Sequence, residues 1–115
     1  MTAPAAEPEK REFYRLRFPH PERPCLIIGR QQYEVVDCSA RGLRFIITQQ
    51  PLPSLGDLLE GRLQFRRHSQ APIRGLVVRI QHGEIALHMP DNEIPFTILR
   101  SEERYLLNHY RMWVK

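Results

Sequence analysis

Leu59-Glu60-Gly61-Arg62-Leu63-Gln64-Phe65-Arg66 alternates without a break, with Leu59, Gly61, Leu63 and Phe65 on one face and Glu60, Arg62, Gln64 and Arg66 on the other. A period of two is a strand with one buried face and one wet face. Short runs of the same kind lie on both sides. Downstream, Ile73 to Gln81 and Glu84 to Met89 are strands joined by a tight His82-Gly83 turn. Upstream, Cys25 to Gly29, Tyr33 to Ser39 and Leu43 to Thr48 follow one another, with Gly29-Arg30-Gln31-Gln32 as the first connection and Ala40-Arg41-Gly42 as the second. After Pro95 the period changes. Leu99, Leu106, Tyr110 and Trp113 recur near helical spacing, and Ser101 followed by Glu102 and Glu103 predicts a C-terminal helix over 101–113 with Ser101 as its N-cap. Five or six strands and one helix in so short a chain predict an all-β fold, a closed or nearly closed antiparallel barrel with the helix on an opening or flank.

The chain has 115 residues, 42% of them hydrophobic and 26% charged, which is the size of one domain. Residues 1–9, rich in Ala, Pro and Glu, predict a disordered tail. Residues 10–23 predict an arm, because Pro19, Pro21 and Pro24 interrupt any long helix; the barrel is expected over 24–98. No apolar run reaches membrane-span length, and Met1 to Glu9 has no apolar signal-peptide core, so the expected location is the cytoplasm. Cys25 and Cys38 are too few for a disulfide scaffold and are read as small core residues. The formal net charge is +4, and all 17 positive residues are Arg except Lys10 and Lys115. Guanidinium forks suit phosphate and guanine; a codon bias toward Arg would give the same composition.

Two local patterns carry chemistry. Arg11 and Arg15 form R-x-x-x-R in the arm, their origins roughly 13 Å apart if it is extended, a spacing that can clamp an anion bearing more than one phosphate. The plain alternative is a solvated charged segment. Asp37-Cys38-Ser39-Ala40-Arg41-Gly42 forms D-x-S-x-x-G. On a strand, Asp37 and Ser39 share the face opposite Cys38, and Gly42 allows a positive φ or a close backbone approach where the strand is interrupted. A carboxylate can accept from the N–H groups on guanine's Watson–Crick edge, and Arg matches the acceptors of its Hoogsteen edge. A turn stabilised by the Asp or Ser side chain is the alternative reading.

R-x-x-x-R in an arm, followed by D-x-S-x-x-G on a barrel strand, resembles the PilZ domain, which binds bis-(3′-5′)-cyclic dimeric guanosine monophosphate (cyclic di-GMP). The resemblance runs from about Lys10 to Trp113, through Leu55-Gly56-Asp57, Val77-Val78-Arg79-Ile80 and Ser101-Glu102-Glu103-Arg104. It implies a six-stranded antiparallel barrel with a C-terminal helix and a ligand at the barrel surface under the arm. Carried over by position, Arg11 and Arg15 would contact phosphate and guanine, Asp37 and Ser39 would hydrogen-bond guanine, and Gly42 would permit the turn. Lys10, Arg17 and Arg41 would be further contacts, although Arg17 is read first as solvated. Cys38 stands where such domains often carry an aliphatic residue, and Arg41 adds a charge inside the second motif.

The implied function is a non-catalytic bacterial receptor that senses cyclic di-GMP and regulates a protein partner in trans. Ser39 has no G-x-S-x-G elbow or positioned histidine to make it a nucleophile, and the scattered histidines His20, His68, His82, His88 and His109 have no metal-ligand spacing. No cofactor is expected. The rival readings are a small basic barrel that binds single-stranded nucleic acid through an Arg groove with Phe13 and Tyr14, and a PilZ-like module that binds no ligand and only docks onto a protein.

Overall fold

The computed structural model describes residues 15–110. The expectations for the tail, for Lys10, Arg11, Phe13 and Tyr14, and for the helix beyond Tyr110, including Trp113, lie outside the described residues. Seven strands appear among them: β1 (Arg15–Arg17), β2 (Cys25–Ile28), β3 (Gln31–Ser39), β4 (Gly42–Ile46), β5 (Leu58–Gln64), β6 (Gln70–Gln81) and β7 (Glu84–His88), followed by one helix, α1 (Phe96–His109). Strands β2 to β7 close into a six-stranded antiparallel barrel in the order β3-β2-β5-β6-β7-β4, with β4 returning to β3. The nine-residue β3 is the organising strand. Its first half pairs with β2 and its second half with β4 and also with β1, so the arm continues the barrel wall where β2 stops.

The strand that decides the class behaves as its alternation requires: Leu63 and Phe65 are buried, and Glu60, Arg62 and Arg66 are exposed. Gly61 on the inward side has a steric reason, because a Cβ there would overlap the carbonyl oxygen of Ile27 on β2. His82 and Gly83 take φ of 52° and 78°, the left-handed pair of a tight hairpin. The β2–β3 connection is shorter than expected. Gly29, at φ 61°, reverses the chain with Arg30, and Gln31 and Gln32 pair with Ile28 and Ile27 inside the sheet.

Two bulges break the alternation, one between Val35 and Asp37 on β3 and one between Val77 and Arg79 on β6. In each the phase slips by one residue. Val35 faces the core, yet so does Cys38; Val77 is buried, yet Val78 and Arg79 are both exposed. The barrel interior is filled by Leu26, Val35, Cys38, Leu43, Phe45, Leu63, Phe65, Ile73, Val77, Ile85 and Leu87.

Cys38 is a core residue as expected, and burial pushes its thiol far up. Cys25 is not. It opens β2 opposite Glu34 and Gln64 on the wetter face and is only half-buried, while its neighbour Leu26 takes the inward position.

The helix begins at Phe96, five residues before the predicted start. Pro95 fixes its own φ at −56° and has no amide to satisfy, so the chain can turn helical immediately after it, without a side-chain cap. Ser101 therefore sits within the helix. Glu102, expected at a solvated N-terminus, is buried together with Leu99 and Leu106 on the inner face. Its carboxylate receives Arg67 Nη2 from the β5–β6 turn at 3.3 Å.

Candidate functional site

Cross-strand register builds two rows of side chains over the outer wall beside the β3 bulge. One row runs Arg17, Asp37, Arg44, Ala86, Arg79 across β1, β3, β4, β7 and β6; the next runs Arg15, Ser39, Gly42, His88. Residues directly opposite one another in a sheet share a face, so the arm, the motif strand and the two strands beyond it present one surface. A cleft of about 890 Å³ opens there, lined by Arg15, Asp37, Ser39, Arg41, Gly42, Leu43, Arg44, Val78, Arg79, Ala86, Leu87, His88 and Pro90. That volume falls in the range of small-molecule sites.

Asp37 is the centre of its charge. Its side chain is 1% exposed although it points out of the barrel, because two guanidinium groups cover it. Arg15 Nη1 donates to Asp37 Oδ1 at 2.7 Å, and Arg15 Nη2 reaches Ser39 Oγ at 3.5 Å. From the other side, Arg44 Nε donates to Oδ2 at 3.0 Å, Nη2 donates to the same oxygen, and Nη1 donates to Glu84 on β7 at 3.1 Å. Hydrogen bonds from Arg44 to Asp37, the largest influence, hold the Arg44 guanidinium firmly protonated against the cost of burial. Four arginines line the cleft against one carboxylate. Guanidinium groups in such an arrangement can take an anion with planar hydrogen-bonding parts.

Gly42 decides between the two readings offered by the sequence. Its φ is not among the positive ones; the need is space. A Cβ at Gly42 would stand 3.1 Å from the Leu87 carbonyl oxygen, 3.5 Å from Arg15 Nη2 and 3.6 Å from Ser39 Oγ. Ser39 Oγ in turn donates to the Gly42 carbonyl at 3.4 Å. The second motif is therefore a tight corner against which Arg15 lies.

Of the residues singled out in the sequence, Arg15, Asp37, Ser39 and Gly42 meet in this corner, and Arg41 lines the cleft. Arg41 also has a structural task. Its Nη1 donates to the carbonyls of Met89 and Pro90, at 3.3 and 3.0 Å, and its Nη2 pairs with Glu93 at 3.4 Å. Backbone bonds from Met89 and Ile94 to Arg41 and Ala40 complete a fastening between the motif turn and the segment that leads into α1. Arg17 is exposed on β1 opposite Asp37. Lys10 and Arg11 lie outside the described residues.

Three polar residues of the cleft are not among the site residues expected from the sequence: Arg44, Arg79 and His88. Arg44 left a signal, since it breaks the apolar run Leu43-Arg44-Phe45 at the position that must point outward when Leu43 and Phe45 point in. Arg79 falls in the Val77-Val78-Arg79-Ile80 segment of the resemblance, but its facing is not legible there, because the β6 bulge turns it to this face.

A second polar cluster lies between the arm, the β5–β6 turn and α1. Arg67 Nη2 donates to Glu22 at 2.8 Å and to Glu102, Tyr110 donates to Glu22 at 3.0 Å, and the Arg67 guanidinium lies 3.7 Å from the Tyr105 ring centroid. Burial would raise the Glu22 carboxyl, but the bonds from Arg67 and Tyr110 outweigh it and hold Glu22 below its ordinary value; for Glu102 burial wins and the carboxyl is raised. Among the described residues no group of His, Cys, Asp and Glu is arranged to hold a metal, and no helix is long and apolar enough to cross a membrane.

The fold has a counterpart in a crystal structure of an uncharacterized Legionella protein, with a TM-score of 0.56 and 21% sequence identity over 80% of this chain and 99% of that one. At that identity the likeness is one of fold. No curated protein matches the chain. The model of the PilZ domain family matches residues 9–108, nearly the whole length.

Proposed function

The chain belongs to the PilZ family, a family of cyclic di-GMP receptor domains, and we propose that it binds cyclic di-GMP in the cleft beside β3 and signals its occupancy to a protein partner. The observation that carries this reading is the convergence of Arg15, Asp37, Ser39 and Gly42 from two sequence-distant motifs into one cationic corner. In the proposed complex Asp37 and Ser39 hydrogen-bond guanine, and Arg15, with Arg11 four residues before it in the sequence, engages phosphate and the guanine Hoogsteen edge. Arg15 must exchange Asp37 for the ligand to do so. Arg15 itself is well placed for that exchange, since its side chain is 42% exposed while that of Asp37 is buried.

The output follows from two fastenings. Arg41 ties the motif turn to the segment before α1, and Glu22, a few residues after β1, accepts from Tyr110 at the end of α1. A ligand that moves Arg15 and the motif turn acts on both ends of the helix, so the helix face is the proposed surface for a partner in motility, biofilm, exopolysaccharide or virulence control. The test is titration calorimetry with cyclic di-GMP. Arg15→Ala is expected to weaken binding more than tenfold, about 1.4 kcal/mol or more. Equal affinity in Arg15→Ala and the parent overturns the assignment. The stoichiometry of the same titration tells one bound molecule from a stacked pair.

A further inference from the structure

Arg44 belongs to neither motif, and no role in ligand recognition is assigned to it. Its geometry gives it one. A carboxylate offers about four lone-pair positions on its two oxygens. In Asp37, Arg44 takes two or three of them through Nε and Nη2, and Arg15 takes one on Oδ1. When Arg15 turns to the ligand, the position it vacates is open to a donor from the base.

The two arginines differ in how they are anchored. Arg44 rises from a barrel strand paired on both sides, opposite Asp37 on β3 and Ala86 on β7, and its far end is pinned to Glu84 at 3.1 Å. Arg15 has one short bond and one long contact, and its side chain is 42% exposed. The partner that leaves is Arg15. Once it has left, the fork of Arg44 stays on the Asp37 carboxylate, compensates its charge and fixes its plane. The relay Glu84–Arg44–Asp37 crosses three adjacent strands, so the acceptor is held by the rigid wall.

We propose that Arg44, braced by Glu84, is a positioning residue that holds the Asp37 carboxylate in the orientation that reads the guanine N1–H and exocyclic amine. This rests on the reading of the cleft as a cyclic di-GMP site. It also predicts more than a loss of affinity, because a carboxylate free to rotate loses discrimination between bases as well as binding energy.

The test compares cyclic di-GMP with cyclic di-IMP, whose bases lack the exocyclic amine, by calorimetry on the parent, Arg44→Met, Arg44→Lys and Glu84→Gln. The parent is expected to prefer the guanine ligand at least tenfold. Arg44→Met should lose at least tenfold in affinity for cyclic di-GMP and bring the guanine-to-inosine ratio close to one. Arg44→Lys, a point charge without a fork, should fall between. Glu84→Gln leaves both arginines in place and should lower the ratio by a few fold, which keeps the question answerable if Arg44→Met does not fold. A parental ratio in a folded Arg44→Met, or in Glu84→Gln when Arg44→Met is unfolded, overturns the positioning role whatever the absolute affinity. A parent that binds neither ligand overturns the cyclic di-GMP reading and this inference with it; a parent that binds both equally overturns the role of Asp37 in reading the amine.

Discussion

Single residues show how much of the site can be read from a linear pattern. Asp37, Ser39 and Gly42 were visible because each type is chemically unusual on a strand and the spacing sets their faces. Arg44 shows in the sequence only as the outward-pointing break in Leu43-Arg44-Phe45; its tie to Asp37 does not, because that partner lies on the neighbouring strand. Gly42 also yields a sharper expectation than its conformation alone would give. Its missing Cβ leaves room for the Leu87 carbonyl, a backbone atom that cannot retreat far, and an added methyl would also press on Arg15 Nη2, 3.5 Å away. Gly42→Ala is expected to cost about 1–2 kcal/mol in urea unfolding through overpacking, and to weaken cyclic di-GMP binding at least tenfold by displacing Arg15. Unchanged affinity in a folded Gly42→Ala protein would mean that Arg15 does not work from this corner.

Elements obey their patterns until something outside the pattern intervenes. The alternation of β5 and the His82-Gly83 turn were legible because local chemistry determines them. The phase slips at the β3 and β6 bulges were not, since an inserted residue leaves no mark when its neighbours are Val on both strands. The start of α1 was misread because Ser101-Glu102-Glu103 imitates a helix N-terminus while Pro95 and Ile94 set the real one. The cause of Glu102's presence is tertiary: it docks the helix on Arg67.

That docking has a pH signature. Burial raises the Glu102 carboxyl above its unfolded value, so the protonated form is favoured and the associated stability, fully present below the unfolded value, is lost as pH rises through the raised folded value. Glu22, held low, works in the opposite sense: its contribution is present above 4.5 and is lost as pH falls through its depressed folded value. Arg67→Ala removes the cation that both share and is expected to cost about 2–3 kcal/mol near pH 7, with part of that cost recovered at acid pH as Glu102, its carboxyl raised by burial, takes up its proton. Denaturant midpoints at the two pH values decide it; a penalty that does not shrink on acidification would show that Glu102 is not the group left exposed to the loss. Along β5, Gly61→Ala is expected to destabilise by more than about 2 kcal/mol, since the obstacle is the β2 backbone.

At the scale of the molecule, the question left by composition was whether so many arginines mark a function or a bias. The structure sorts them. Arg23 pairs with Glu34, Arg67 with the buried Glu22 and Glu102, and Arg74 with Glu60, so several of the arginines are balanced away from the cleft. Arg15, Arg41, Arg44 and Arg79 converge on one cleft, and Arg79 has no carboxylate partner among the described residues. A concentrated patch with a closed, shaped floor suits a compact ligand with few charges, whereas a strand of nucleic acid would need a track of cations leading away from it. The two make different demands on salt. Two phosphodiesters give a slope of log affinity against log salt no steeper than about −1.4 even by the single-strand rule, so cyclic di-GMP affinity should fall only gently with ionic strength. Added oligonucleotides should not displace it, whatever their length. A steep slope that grows with oligonucleotide length, together with failure of cyclic di-GMP to compete, would reassign the cleft to single-stranded nucleic acid and leave Arg79 and Arg41 as the beginning of the track.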